Sequence, residues 1–306
     1  MTTPRNPHYW RNLARAAGIM ILLGLCALMS VITVLLINAA SRPLHPARIA
    51  IAETPHDYGI NDYQEVEFTT GDGVTLRGWY IPSQNEAVII LVHGYSSNRT
   101  YLLPEAALLV EQGFGALLFD LRGQGESDTA TVTLGDHERR DLRAALAFVI
   151  AQPGIDANRI GAIGHSLGAA TLTQVAAEDD RLRAVVLAAP FPTLKAVITD
   201  GFHVPGVIRD VIAAWIAWRE GVDVDDVRPV NDLCNIRAEK TLLMFGDHDT
   251  VAPPGSQETM FAAAAKCPDV VESWLIVGAG HDDMMEIAGE TYNKRIVEFF
   301  VAVLEE

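Results

Sequence analysis

The segment Arg159–Thr171 contains a serine between two glycines, in the order Gly164-His165-Ser166-Leu167-Gly168. A short apolar run precedes this motif and an alanine-rich stretch follows it, so the sequence predicts a strand, a sharp turn and a helix. Such a turn exposes the serine hydroxyl at the strand's end and places the Leu167 amide at a helix N-terminus, where negative charge is stabilised. Residues of these types at this spacing are suited to nucleophilic attack by Ser166. Glycine and serine also make ordinary turns, so the motif by itself leaves that alternative open.

The elements predicted around this motif alternate between buried strands and helices. Two alternating stretches, 66–70 and 74–81, flank Gly71-Asp72-Gly73 and predict a hairpin. Continuous apolar runs predict strands that are buried on both faces; they lie at 87–92, 116–119, 159–163, 184–188, 240–245 and 272–277. Helical periodicity falls between them, at 99–112, 137–151, 256–266 and 290–304. This order predicts an α/β fold with a mostly parallel sheet.

Composition places the chain among globular proteins and argues against several kinds of partner. Its 306 residues are 49% hydrophobic and 20% charged, enough for one large domain with a substantial core. The net charge is −16, and residues 1–41 hold three arginines and no acidic residue, which leaves −19 on the rest. So acidic a body argues against nucleic acid as a partner. No cysteine or histidine spacing typical of a metal site is present, and we expect no metal and no cofactor.

Three cysteines are too few for a disulfide framework. Cys26 lies in an apolar segment near the N-terminus, which leaves Cys234 and Cys267 as a possible pair. We interpret these two as separate buried thiols, because buried free cysteines are common.

The N-terminal region is predicted to anchor the chain in a membrane. Residues 1–15 form a short tail and 16–40 a transmembrane signal anchor, and the 19 residues 19–37 would rise about 28 Å as a helix. A buried core helix and a cleaved signal peptide are the alternatives; the apolar stretch is longer than most signal peptides have. Three arginines precede the span and two follow it, which favours a single-pass protein with its body outside the cytoplasm. Residues 41–63 contain three prolines and are interpreted as a tether with little regular structure.

From about residue 55 onward the chain resembles an α/β-hydrolase, and with its N-terminal span it is similar to bacterial membrane-anchored α/β-hydrolase-domain proteins. The motifs behind this resemblance are Asp72-Gly73, Gly78-Trp79-Tyr80, His93-Gly94, 120–127, 164–168, 246–253 and Gly280-His281. Their joint order is more specific than any one of them. The resemblance implies an α/β-hydrolase domain over 64–306, with a short cap inserted at about 190–232.

The resemblance also implies the catalytic residues, because this fold orders its triad as serine, acid and histidine in loops at one edge of the sheet. Ser166 is then the nucleophile and His281 the base, although a capping or core role for His281 is the alternative. The acid is Asp247 or Asp249, and the family pattern Gly-x-x-Asp before Val and Pro favours Asp249. By family position, the N–H groups of Tyr95 and Leu167 form the oxyanion hole. Other polar residues of these loops are interpreted as structural: His93, His165, His248, Asp120 and Arg122, with Asp282 and Asp283 as solvated loop charges.

The cap contains an apolar stripe at helical spacing, formed by Val207, Ile208, Val211, Ile212, Trp215 and Ile216. Two interpretations remain open for it. The stripe is either a lid that binds an acyl chain or lipid, or a core helix that closes one end of the sheet.

Taken together, the sequence predicts a membrane-tethered serine hydrolase that cleaves small-molecule or lipid carboxylic esters or thioesters through an acyl-enzyme. A serine peptidase or amidase would use the same triad, and an aminopeptidase could bind the substrate amine with Asp200, Asp210 or Glu220. A non-catalytic scaffold on the hydrolase fold is the third alternative. Its members commonly lose a triad residue, and all three positions are filled here.

Overall fold

The computed structural model describes residues 7–201 and 206–305. The chain divides into two compact units, Met1–Pro43 and Leu44–Glu306. The first unit consists of helix α1, Pro7–Ser41, within which His8–Leu35 is long and apolar enough to cross a membrane. Its large apolar side chains, such as Leu22 and Met29, are exposed. Length and composition therefore make α1 a candidate membrane span or signal sequence.

The second unit is built on one sheet of eight strands in the order β1-β2-β4-β3-β5-β6-β7-β8. The strands are β1 Gln64–Thr69, β2 Thr75–Ile81, β3 Val88–Val92, β4 Gly115–Phe119, β5 Ile160–His165, β6 Leu182–Ala188, β7 Lys240–Gly246 and β8 Val271–Ile276. The pairs β1/β2 and β2/β4 are antiparallel and all others are parallel. Every residue of β3, β4 and β5 is buried, as their unbroken apolar runs predict. The predicted mostly parallel α/β fold is confirmed.

The helices of this unit cover the sheet. They are α2 Leu103–Val110, α3 Glu138–Ile150, α4 Leu167–Glu178, α5 Leu194–Gly201, α6 Gly206–Glu220, α7 Pro229–Asp232, α8 Ser256–Ala264, α9 Met284–Ala288 and α10 Glu290–Leu304. From β3 the chain crosses through α2 to one side, and from β5 it crosses through α4 to the other side. Right-handed crossovers in opposite directions put these two helices on opposite faces of the sheet. Because the parallel strands run in the same direction, the loops that follow them all lie at one edge of the sheet.

The segment predicted as a tether, 41–63, has little regular structure, with short 3₁₀ turns at Arg42–Leu44 and Pro55–Tyr58. From Leu44 onward it nevertheless belongs to the compact unit. The side chains of Leu44 and Ile60 are buried, and Arg48 donates a hydrogen bond of 2.5 Å to the carbonyl of Ser127. This segment is therefore packed along the domain.

Helices α5 and α6 occupy the predicted cap insertion between β6 and β7. Of the predicted apolar stripe, the side chains of Val207, Ile208, Val211, Ile212 and Ile216 lie outside the described part of the chain. Trp215 is half-buried, and the guanidinium of Arg219 lies 5.1 Å from its ring centre. Both interpretations of the cap therefore stay predictions.

The prediction for the cysteines is wrong, because Cys234 and Cys267 form a disulfide with their Cα atoms 5.6 Å apart. Neither is a buried thiol: Cys234 is exposed and Cys267 half-buried. Cys234 precedes β7, and Cys267 follows α8, the helix after that strand. The sequence could not predict the bond, since the return path of α8 along the sheet decides whether the two residues meet.

We expect replacement of Cys234 and Cys267 by serine to lower the free energy of unfolding by about 3–4 kcal/mol, the chain-entropy value for a closed loop of 33 residues. Denaturant unfolding of the full chain in detergent measures this, with and without reductant. Cys26→Ser is the matched control, because Cys26 is a free cysteine. An unchanged unfolding midpoint in the double variant would contradict the assignment of a stabilising bond.

Candidate active site

Ser166 sits in a strained turn between β5 and α4, with φ 52° and ψ −112°. Positive φ is unfavourable for a residue with a side chain, and such strain concentrates at functional sites. The Ser166 N–H donates to the carbonyl of Ala188 at 2.8 Å, which ties the turn to β6. A Cβ at Gly168 would overlap the carbonyl oxygen of Val92, and one at Gly164 would lie 2.7 Å from the Cα of Ala169. Both motif glycines are therefore required by close packing.

His281 and Asp249 form a buried hydrogen-bonded pair. The Nδ1 of His281 lies 2.7 Å from Oδ2 of Asp249, and each side chain is 5% exposed. The other oxygen of Asp249 accepts hydrogen bonds of 2.9 Å from the N–H groups of Val251 and Ala252. Burial by itself would raise the pKa of Asp249, but the hydrogen bonds from His281, Ala252 and Val251 outweigh it and lower the pKa. A charged Asp249 requires a proton on Nδ1 of His281, which leaves Nε2 as the basic nitrogen.

Asp247, the alternative acid, has a different role. Its side chain accepts a hydrogen bond of 2.6 Å from the N–H of Gly278, and the residue is exposed. This bond braces the loop that follows β8. The structure therefore pairs Asp249, and not Asp247, with His281.

Ser166 and His281 lie at the same edge of the sheet, and the residue before Ser166 in the chain contacts His281. The ring of His165, next to Ser166 in the chain, lies 4.9 Å from the ring of His281, centre to centre. Within the described residues the Ser166 hydroxyl makes no hydrogen bond to the protein. Nucleophile and base are commonly looser before substrate binds.

The predicted oxyanion donors flank Ser166. A Cβ placed on Gly94 would lie 3.3 Å from the Cβ of Ser166, so the backbone leading into Tyr95 passes close to the serine. In the part of the chain that the structure describes, the N–H groups of Tyr95 and Leu167 donate to no protein acceptor. Two unpaired donors beside a nucleophile are what a developing oxyanion needs.

A group of polar side chains around the His281 backbone makes contacts that the sequence motifs did not predict. The Nε2 of His165 lies 3.0 Å from the carbonyl oxygen of His281 and 3.2 Å from the hydroxyl of Tyr101. That hydroxyl also donates to Oδ1 of Asp282 at 3.1 Å, and Asp283 accepts from the N–H of Gly280 at 2.6 Å. Asp282 and Asp283 are thus hydrogen-bonded; Asp282 is still 63% exposed, as the prediction of a solvated loop charge requires, and Asp283 is half-buried. Tyr101 gave no signal in the sequence, since it lies in an ordinary helical stretch.

His165, His281 and Asp282 are the residues of this site that could hold a metal ion, with donor atoms within 4.8 Å of one another. His281 already binds Asp249 through Nδ1, and Nε2 of His165 faces a carbonyl oxygen. Hydrogen bonds therefore account for the grouping.

Three of the residues predicted to be structural are Asp120, Arg122 and His93, and they bind backbone N–H groups or, for Arg122, another side chain. The buried carboxylate of Asp120 accepts from the N–H groups of Arg99 at 2.7 Å and Glu126 at 2.8 Å. Arg122 donates to the buried carboxylate of Asp141 at 2.8 Å. His93 accepts a hydrogen bond of 3.0 Å from the N–H of Leu121. These contacts hold the loop after β4.

Known proteins share this architecture. A family model described as "Serine aminopeptidase, S33" matches residues 83–221. The esterase Pf2001 of Pyrococcus furiosus is 26% identical, with a TM-score of 0.68, and the match covers 85% of this chain and 99% of that one. An α/β hydrolase, GrgF from Penicillium sp. sh18, is 22% identical with a TM-score of 0.62, over 80% of this chain and 99% of its own. The chain belongs to the α/β-hydrolase superfamily. The resemblance stated from the motifs is confirmed.

This α/β hydrolase also has a relative matched over a shorter range. Thiohydrolase aneE of Aspergillus aculeatus is 34% identical over 154 residues, which are 49% of this chain and 48% of that protein. The esterase has a lower sequence identity to this chain than the thiohydrolase has, but its match spans nearly the whole esterase.

We expect Asp249→Asn to slow the reaction of Ser166 with a fluorophosphonate by about 10⁴-fold, because an amide would hold His281 in the wrong tautomer. Asp247→Asn is the matched control, and its rate should stay within about threefold of the parent since its carboxylate meets only a loop N–H. The measurement is the labelling rate at fixed probe concentration. The reverse order of the two variants would show that Asp247 is the acid.

Proposed function

We propose that this α/β hydrolase is a serine hydrolase that cleaves carboxylic esters or thioesters through an acyl-enzyme. The observation that carries the proposal is the buried His281–Asp249 pair at the sheet edge where the strained turn presents Ser166. Similarity to an esterase over 85% of this chain and to a thiohydrolase over 49% of it supports this substrate class.

The proposed reaction begins with attack of the Ser166 hydroxyl on the substrate carbonyl. Nε2 of His281 takes the hydroxyl proton, and Asp249 stabilises the resulting imidazolium. The N–H groups of Tyr95 and Leu167 donate to the oxygen of the tetrahedral intermediate; loss of one such donor typically costs about 2.7–4 kcal/mol. His281 then protonates the leaving alcohol or thiol. Water, activated by the same histidine, releases the acid from Ser166 in the second half of the cycle.

The second candidate is a serine peptidase, which the match to the S33 aminopeptidase model favours. The positions of the acidic residues that could bind a substrate amine give the peptidase alternative little support. Asp210 lines a cavity of about 250 Å³ between α5 and α6, together with Lys195, and no triad residue lines that cavity. Glu220 is paired with Arg219 at 3.0 Å, and the side chain of Asp200 lies outside the described part of the chain.

We expect a fluorophosphonate to label the full chain and the Ser166→Ala variant to show no labelling. In the same preparations, p-nitrophenyl esters should be hydrolysed by the parent, with a loss of about 10⁴-fold or more in the variant, because both steps pass through the serine. Ser273→Ala, on the exposed face of β8, is the matched control. Faster turnover of aminoacyl anilides than of esters would favour the peptidase. A folded parent that resists labelling would overturn the proposal.

We also propose that α1 anchors the hydrolase in a membrane with its body outside the cytoplasm. The apolar His8–Leu35 stretch and the excess of arginines before it support the anchor and its direction. The Cys234–Cys267 disulfide supports an oxidising compartment, because such bonds persist outside the cytosol.

A reporter that is active only in the periplasm, fused after the C-terminal residue, should be active in this arrangement. Fusion of the same reporter directly after Ser41 should also be active, since no further candidate span follows in the described chain. Activity of a cytoplasmic reporter at both positions would reverse the proposed orientation.

A further inference from the structure

The backbone of His281 is held by side chains that the proposed reaction does not use. Its carbonyl oxygen lies 3.0 Å from Nε2 of His165, a residue that is 5% exposed. Tyr101 stacks near the same imidazole, with ring centres 4.6 Å apart, and its hydroxyl lies 3.2 Å from Nε2. These contacts join the residue before the nucleophile to the residue that would act as base.

The direction of each hydrogen bond follows from the chemistry of the groups. A carbonyl oxygen only accepts, so the proton of His165 is on Nε2. Since that nitrogen donates, the Tyr101 hydroxyl directs its own proton to Oδ1 of Asp282, at 3.1 Å. The pKa of His165 is lowered to about 4, mainly by burial and secondly by the nearby His281. The imidazole is therefore neutral near neutral pH and acts as a hydrogen-bond donor.

The loop that carries His281 needs such an anchor. Two glycines, Gly278 and Gly280, precede the histidine, and glycine leaves the backbone more freedom than any other residue. Asp249 restrains the ring of His281 but not its backbone. Other hydrogen bonds brace the loop at Gly278 and Gly280, and His165 supplies the bond to the backbone of His281 itself, from the position next to Ser166.

We propose that His165 and Tyr101 are positioning residues that hold the His281 backbone and thereby set the approach of its Nε2 to Ser166. The proposal rests on the proposed function for its effect on rate. His165 precedes the nucleophile in a rigid turn, so a bond from it to His281 fixes the base relative to the nucleophile. A displacement of about 1 Å is enough to slow a reaction by about 100-fold.

The test compares His165→Gln, which keeps an N–H donor, with His165→Phe, which keeps a ring but has none. The His165 side chain lines a cavity of about 270 Å³, which gives the larger ring room. We expect His165→Phe to lower kcat for a p-nitrophenyl ester and the labelling rate of Ser166 by about 100-fold, with KM unchanged. We expect His165→Gln to stay within about fivefold of the parent, since the donor is retained.

Tyr101→Phe provides a second, milder variant, with an expected slowing of about tenfold, since the ring stays and only the hydrogen bonds of the hydroxyl, to Asp282 and from Nε2 of His165, are lost. The double variant His165→Phe/Tyr101→Phe should slow the reaction by less than the product of the single effects, because both act through one loop. Tyr292→Phe is the matched control. Tyr292 lines the same cavity, but its hydroxyl donates to Glu105 at 3.0 Å and not to the His281 loop, so the labelling rate of this variant should match the parent.

Parental labelling by a folded His165→Phe would overturn the proposal, and so would equal slowing in His165→Gln and His165→Phe. If His165→Phe does not fold, Tyr101→Phe decides: a slowed rate supports the proposal and a parental rate overturns it. A parent that is itself not labelled would overturn the proposed function instead. Amide hydrogen exchange over 278–283 then decides the positioning role, since faster exchange in His165→Phe than in His165→Gln supports it and equal exchange overturns it.

Discussion

The close approach of the β5–α4 turn to β3 is the constraint on which the site depends. A side chain at Gly168 would collide with the carbonyl oxygen of Val92, and one at Gly164 with the first turn of α4. Only hydrogen fits at both positions, and this lets α4 begin directly at the end of a central strand. The same turn holds Ser166 at a positive φ, and within the described residues the Leu167 N–H that follows it donates to no protein acceptor. Packing at this turn thus goes together with the strained Ser166 and with an N–H group suited to the proposed oxyanion role.

The acid and base are organised by hydrogen bonds that compensate burial. A carboxylate that is 5% exposed would ordinarily be driven toward its neutral form. Asp249 stays ionised because three donors, from His281, Val251 and Ala252, converge on its two oxygens. Val251 and Ala252 belong to the same loop as Asp249, whereas His281 comes from the loop after β8, so the charge of Asp249 depends in part on the folded sheet edge. Its ionisation in turn selects the His281 tautomer that the proposed reaction needs.

The disulfide and the packed segment after Leu44 act on a different part of the molecule. The disulfide links the end of the cap insertion to the end of α8, and so encloses β7, the strand that delivers Asp249. Leu44 and Arg48 bind the loop after β4: the carbonyl of Leu44 accepts from the N–H of Val132, and Arg48 donates to the carbonyl of Ser127. Both features lie outside the proposed triad and stabilise the loops at the sheet edge. Small losses of geometry in those loops would slow the proposed reaction most.

Local pattern was sufficient to predict the strands, the flanking helices and the order of the motifs, because buried parallel strands are continuous apolar runs and the motif glycines mark their ends. It placed Ser166 in the turn after β5 and His281 in the loop after β8, where the structure has them, and left Asp247 and Asp249 to be separated by family pattern. Only the tertiary structure showed that Asp249 reaches His281 while Asp247 binds the N–H of Gly278. The disulfide, the contacts of Tyr101 and the bond from His165 to the His281 carbonyl were likewise beyond the sequence. Each joins residues 33 or more positions apart, and such distances depend on how the elements pack rather than on any local preference.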